Sequence, residues 1–149
     1  MSKEKFRIKY AVYLIPRKGN QVLLSLRQGT GYMDGHYSLV AGHVDGGETA
    51  EEALIRESSE EAGITMTPEQ LKFVYVMHRL KDAPEDEYID MFFECTEWDG
   101  EITNLEPQKC GGLDWVDINN LPENTLPYIA EVLNTYEQGK RFSSVRGGE

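Results

Sequence analysis

A chain of 149 residues, 40% hydrophobic and 28% charged, is long enough for one domain with a real core and too apolar for a disordered acidic polymer. Its net charge of −11 argues against broad binding to nucleic acid or an anionic membrane, but leaves room for a small anionic substrate held through cations. No run approaches the roughly 18 apolar residues of a membrane span. The basic start MSKEKFRIKY lacks the apolar segment of a secretory signal, which predicts a cytoplasmic protein.

In chain order, residues 6–15 (FRIKYAVYLI) are rich in aromatic and β-branched side chains and read as a strand. Pro16 to Asn20 supplies turn residues, and 21–28 (QVLLSLRQ) reads as the returning strand of a hairpin. The glycine-rich loop 29–35 has no GK[ST] after it, so it is not a P-loop. Residues 36–44 read as a short strand ending before the Asp45-Gly46-Gly47 turn. A helix should begin near Glu48 or Thr49 and run to about Ala62. Thr49 and Glu52 have capping-box spacing, and Gly63 fits a left-handed stop.

Residues 71–81 and 87–98 read as strands joined by an acidic turn, Asp82 to Glu87, that contains Pro84. Asp99-Gly100 is a hairpin-turn signal, and 113–118 reads as a short strand. In 126–142, Ile129, Val132, Leu133 and Tyr136 fall at helical spacing, with Gly139 as the stop. The tail 143–149 is expected to fray. Cys95 and Cys110 form no CxxC pair and are expected as free thiols. No repeat or boundary divides residues 1–149, and most connections look like hairpins. The expectation is a single-domain α/β sandwich with a mixed sheet, not a doubly wound parallel one.

The chemistry concentrates between Gly42 and Ile64, in GHVDGGETAEEALIRESSEEAGI. Glu57, Glu60 and Glu61 lie at i, i+3 and i+4, on one side of a helix, where like charges cost about 0.2–0.5 kcal/mol per pair. Alone, three such glutamates would ordinarily be a solvated face. Divalent cations would offset the repulsion, and hard ions such as Mg²⁺ or Mn²⁺ prefer carboxylate and carbonyl oxygens.

Gly42, Glu48, Arg56, Glu57, Glu60, Glu61, Gly63 and Ile64 fit the pattern G-x5-E-x7-R-E-U-x-E-E-x-G-U, where U is a bulky aliphatic residue. By these residues the chain resembles the Nudix hydrolase family. The departure is Ser58, polar where the pattern has an aliphatic side chain. The resemblance implies an α/β/α sandwich with a mixed, largely antiparallel sheet. It also implies Mg²⁺ or Mn²⁺ held by Glu57, Glu60, Glu61 and the carbonyl of Ala41, with one glutamate as base. Arg56 is a candidate to fork onto a neighbouring carboxylate and fix its rotamer, with Glu48 as partner or as a dipole-favoured charge.

Outside the motif, Glu106, Glu94 and Asp90 are candidates for a further acid, base or metal ligand. Arg27, His36, His43, His78, Arg79 and Lys109 are candidates for phosphate contact, and Tyr32, Tyr37, Tyr88 and Phe92 for stacking on a base. Taken singly, each is more readily a surface charge or a core ring. The expected reaction is hydrolysis of a diphosphate linkage in a nucleoside triphosphate, or in a nucleoside diphosphate linked to another group. A nucleotide-sensing module without turnover, or an RNA 5′-end pyrophosphohydrolase, stands as the alternative, and the negative charge counts against RNA. A homodimer is a family-level expectation.

Overall fold

The computed structural model describes residues 4–81 and 87–146. Strands β1 (Lys9–Lys18) and β2 (Gln21–Arg27) form the first hairpin, turning at Gly19 and Asn20. The first strand therefore outruns its sequence expectation and passes through Pro16. Up to Leu14 one edge of β1 pairs with Val40 of β4; from Arg17 it pairs with Val22 of β2. Pro16, which has no N–H to donate, sits at this changeover. Seven consecutive buried residues of β1 explain the unbroken apolar run: the strand lies between neighbours and under both faces of the core.

The segment 36–44 divides in two. Short β3 (Tyr37–Ser38) pairs with β2, and β4 (Val40–His43) pairs antiparallel with β1. Helix α1 (Ala50–Ala62) follows, with both hydrogen bonds of the Thr49–Glu52 capping box and a left-handed Gly63 at φ 71°. A 3₁₀ turn over Pro68–Gln70 leads to β5 (Lys72–Leu80), which pairs antiparallel with β6 (Glu87–Cys95). The connecting turn expected over Asp82–Glu87, with Pro84, lies outside the described residues except for Glu87.

β6 runs parallel to β1 over eight residue pairs, a long-range pairing that no local turn signals. Asp99-Gly100 does not close a hairpin: Asp99 bridges to Thr65, and the chain continues as a loop. β7 (Cys110–Asp117) begins earlier than expected and pairs with β2. Helix α2 (Pro127–Thr135) ends in a 3₁₀ turn over Tyr136–Gln138, with Gly139 left-handed at φ 98°. The tail is a correction. Instead of fraying from 143, it forms β8 (Phe142–Arg146), parallel to β5, because β5 offers an unpaired edge.

The sheet is mixed, with two parallel pairings among otherwise antiparallel ones. Alternation along β1 sorts its side chains onto two faces. Ala11, Tyr13 and Ile15 pack with Ile129, Val132 and Leu133 of α2. Val12 and Leu14 pack with Ala53, Leu54 and Ala62 of α1. The result is an α/β/α sandwich in which each wholly buried aliphatic side chain contributes about 1.5–3 kcal/mol. Among the described residues no helix is long and apolar enough to cross a membrane. Cys95 and Cys110 are free thiols.

Candidate active site

β4 and α1 are joined so that the first glycine of the motif lies under the helix. A Cβ at Gly42 would overlap the Glu57 side chain, so glycine here is what lets that carboxylate lie against the strand. Arg56 then ties the turn to the helix. Its Nε donates to Glu48 Oε2 at 2.8 Å and its Nη2 to Glu48 Oε1 at 3.1 Å, a forked pair, while Nη1 donates to Glu57 Oε1 at 2.8 Å. Glu48 Oε1 also accepts from the backbone N–H of Asp45 at 3.0 Å. The Arg56 bonds, then that backbone bond, hold the Glu48 carboxyl below its usual range. Glu60 is more exposed and approaches Arg56 Nη1 at 3.5 Å.

Glu61 sits deeper. Burial, then its hydrogen bond to Glu57 and the charges of Glu57 and Glu106, push its carboxyl up to about 9, against a backbone hydrogen bond involving Ala41 that lowers it. The neighbouring carboxylate makes ionising Glu61 more costly. Glu106 arrives from far along the chain because α1 leaves carbonyls unsatisfied at its end. The N–H groups of Thr103 and Leu105 bond to Ala62 O at 2.9 Å and Glu61 O at 3.1 Å, and so bring the next residue against the helix terminus.

No three His, Cys, Asp or Glu side chains among the described residues are gathered as a ready metal cage. The donor chemistry nonetheless suits a hard divalent cation. Glu57 and Glu61 are in contact, Glu106 is within charge range of Glu61, and the Ala41 backbone adjoins Glu61.

These groups line a cleft of about 880 Å³. Ala41, Glu57, Glu60, Glu61 and Glu106 line it, as do Arg27 and Tyr32, so the structure brings those candidates together. His43, Arg79, Tyr88 and Lys109 line it too, and the remaining candidates lie elsewhere. Asp90 is wholly buried, and both its oxygens accept from Arg79, at 2.7 and 3.2 Å. Glu94 accepts from Tyr136 Oη at 2.8 Å, and His78 pairs with Glu87. His36 has no hydrogen-bond partner at Nδ1, and its backbone carbonyl accepts from Arg27 N at 2.9 Å. Tyr37 is bonded to Asp114 and Phe92 is stacked in the core on Tyr13.

Tyr13, Tyr128 and Lys81 line the cleft without any mark in the sequence. Tyr13 sits in an apolar run, and Tyr128 lies on α2 across the sheet; only the assembled sandwich turns both toward the cleft.

A mixed sheet between two helices, with an acidic helix end braced by an arginine beside a glycine strand, defines the Nudix class of hydrolase. The family model described as NUDIX domain matches residues 5–136, and the chain belongs to the Nudix hydrolase family. It is 28% identical over 129 residues to an 8-oxo-dGTP diphosphatase of Escherichia coli, covering 85% of this chain and 96% of that protein. To an ADP-ribose pyrophosphatase of Methanocaldococcus jannaschii it is 32% identical over 123 residues, covering 77% of this chain and 70% of the relative. The fold matches the crystal structure of a MutT Nudix hydrolase from Burkholderia pseudomallei with a TM-score of 0.79 at 22% identity, covering 87% of this chain and 98% of that one.

Proposed function

We propose that this chain hydrolyses a diphosphate linkage in a nucleoside triphosphate, or in a nucleoside diphosphate joined to another group, with Mg²⁺ or Mn²⁺ as cofactor. The observation that carries the reading is the Glu57–Glu61 carboxyl pair, with Glu106 within charge range, on the wall of a cleft large enough for a nucleotide. Carboxyl groups are not brought together in a half-buried place for stability, since each raises the cost of ionising the other. A divalent cation there neutralises charge on the two phosphates and makes water easier to deprotonate.

The chain's own residues do the rest. Glu57, Glu60 and Glu61, with Glu106 as a fourth acid, hold and orient the cation end of the substrate. Arg56, through Glu48 and Glu57, fixes the carboxylate that packs on Gly42. Relatives named for 8-oxo-dGTP and for ADP-ribose support a nucleotide diphosphate linkage as the target and leave the leaving group open.

The test is phosphate and pyrophosphate release from a panel of nucleoside triphosphates and nucleoside diphosphate conjugates, in Mg²⁺ and in EDTA. Turnover in Mg²⁺ that disappears in EDTA and in Glu57→Gln is expected. Nucleotide binding with no turnover of any member would replace this reading with that of a sensing module.

A further inference from the structure

A second cluster of side chains lines the same cleft, and it is cationic. Arg27 leaves the end of β2 and lies over the Tyr32 ring, its guanidinium carbon 5.2 Å from the centroid. Lys81, just past the end of β5, sets its ammonium 3.7 Å from the centre of that ring and 5.6 Å from the centre of Tyr88. Arg79, paired with Asp90, lies 4.3 Å from the Tyr88 centroid. In a chain with 26 acidic residues against 15 Lys and Arg, this collection of cations in the substrate cleft is a concentrated exception.

The loop between β2 and β3 is folded to aim Arg27. Asp34 accepts from the N–H of Thr30 at 3.2 Å and of Gly31 at 3.0 Å, closing the loop on itself. Arg27 Nε then donates to the carbonyl of Tyr32 at 2.7 Å, and Nη2 to Thr30 Oγ1 at 3.0 Å. Both acceptors are neutral. Among the described residues no carboxylate forms an ion pair with Arg27, though the Asp34 carboxylate that Thr30 holds lies within range of its charge, so the guanidinium is oriented by neutral acceptors. None of these residues belongs to the Gly42–Ile64 motif, and they come from β2, β5 and its C-terminal end, β6 and the loop after β2, not from the helix that carries Glu57, Glu60 and Glu61.

We propose that Arg27, Lys81 and the rings of Tyr32 and Tyr88 form an anion subsite for a phosphate of the substrate other than the two joined by the scissile linkage. The identity of that ligand rests on the diphosphate-hydrolase reading above. The scissile phosphates belong at the carboxylates, where a divalent cation reverses the local sign of charge. A guanidinium held in a fixed orientation and an ammonium beside it recognise a further phosphate directly, with no cation between. Two kinds of substrate carry one: a nucleoside triphosphate, with a third phosphate in the chain, and a dinucleotide bearing a phosphate on a ribose hydroxyl.

The first measurement uses inorganic pyrophosphate and the metal-free protein in EDTA, by titration calorimetry. Without divalent ions the acidic wall repels the probe, so binding reports the cationic cluster. Pyrophosphate is expected to bind, with affinity falling about tenfold in Arg27→Gln and again in Lys81→Gln, while Glu57→Gln does not weaken it. Failure of pyrophosphate to bind the wild type, or equal binding by both charge-removing variants, overturns the subsite.

The second measurement compares kcat/KM in Mg²⁺ for ATP against ADP and for NADPH against NADH. Preference for the phosphate-richer member in one pair identifies the source, and Arg27→Gln should bring that preference close to one. Preference in neither pair overturns the proposal. If no nucleotide is turned over at all, it is the hydrolase reading that fails, and the pyrophosphate titration still decides the subsite.

Discussion

Ser58 places a hydroxyl where its own family pattern has an aliphatic side chain, and the structure gives that oxygen no partner. The residue is fully buried in the middle of α1, and its Oγ makes no hydrogen bond. A buried unpaired polar group costs about 1–3 kcal/mol, so Ser58→Ala should stabilise the protein by about 1 kcal/mol, read as a higher urea midpoint at unchanged slope. An unchanged or lower midpoint would mean that the hydroxyl is satisfied in solution. Two residues earlier, Arg56 acts through others. Its fork onto Glu48 and its bond to Glu57 hold a carboxylate in place, and loss of such a support typically costs about 10–100-fold in activity or metal affinity. Arg56→Ala should fall in that range with the fold intact. Arg56→Lys should recover only part, because an ammonium cannot make the fork.

At the scale of elements, α1 is the part most legible in the sequence, because its signals are local. Thr49 and Glu52 make both bonds of the capping box, and Gly63 takes the left-handed conformation that ends the helix. Thr49→Ala should therefore cost about 1 kcal/mol of stability, measured by thermal or urea unfolding, and leave turnover nearly unchanged. Gly42→Ala is the opposite kind of change. The added methyl displaces Glu57, and a misplacement near 1 Å at a reacting centre can cost about a hundredfold in rate. What α1 could not announce is its fourth carboxylate. Glu106 reaches Glu61 only because the loop after Gly100 uses its N–H groups to cap the helix's last carbonyls, a contact decided by assembly. For the same reason Asp99-Gly100 reads as a hairpin turn yet serves as the start of that capping loop.

Across the whole molecule, the pairings hidden from the sequence are the long-range ones: β6 parallel to β1, β8 parallel to β5, and β7 on β2. Neither turn chemistry nor periodicity encodes which strand finds which edge. Those pairings determine which side chains share the cleft, and they explain why Asp90 looks like a candidate ligand in sequence but is spent on Arg79 in the sheet. They also bury Glu61 beside Glu57, with a consequence for stability. The Glu61 carboxyl is raised from an ordinary 4.5 to about 9, so between these values the folded protein binds more protons than the unfolded chain. Its contribution is fully present below the unfolded value and is lost as pH rises toward the folded one. In EDTA, the melting temperature of the wild type should fall between about pH 5 and pH 9 more steeply than that of Glu61→Gln, and parallel curves would count against the buried carboxyl pair.

On the proposed reading, cation binding at this pair is a proton exchange. A divalent ion bound by Glu61 must displace the proton that its raised carboxyl holds at neutral pH, so Mn²⁺ titration by calorimetry, in buffers of different ionisation enthalpy, tests the assignment most directly. The expected result is release of about one proton with the first Mn²⁺, abolished in Glu61→Gln, with weaker binding in Glu57→Gln. Tight Mn²⁺ binding that releases no proton, or that persists unchanged in both variants, would place the cation away from these glutamates.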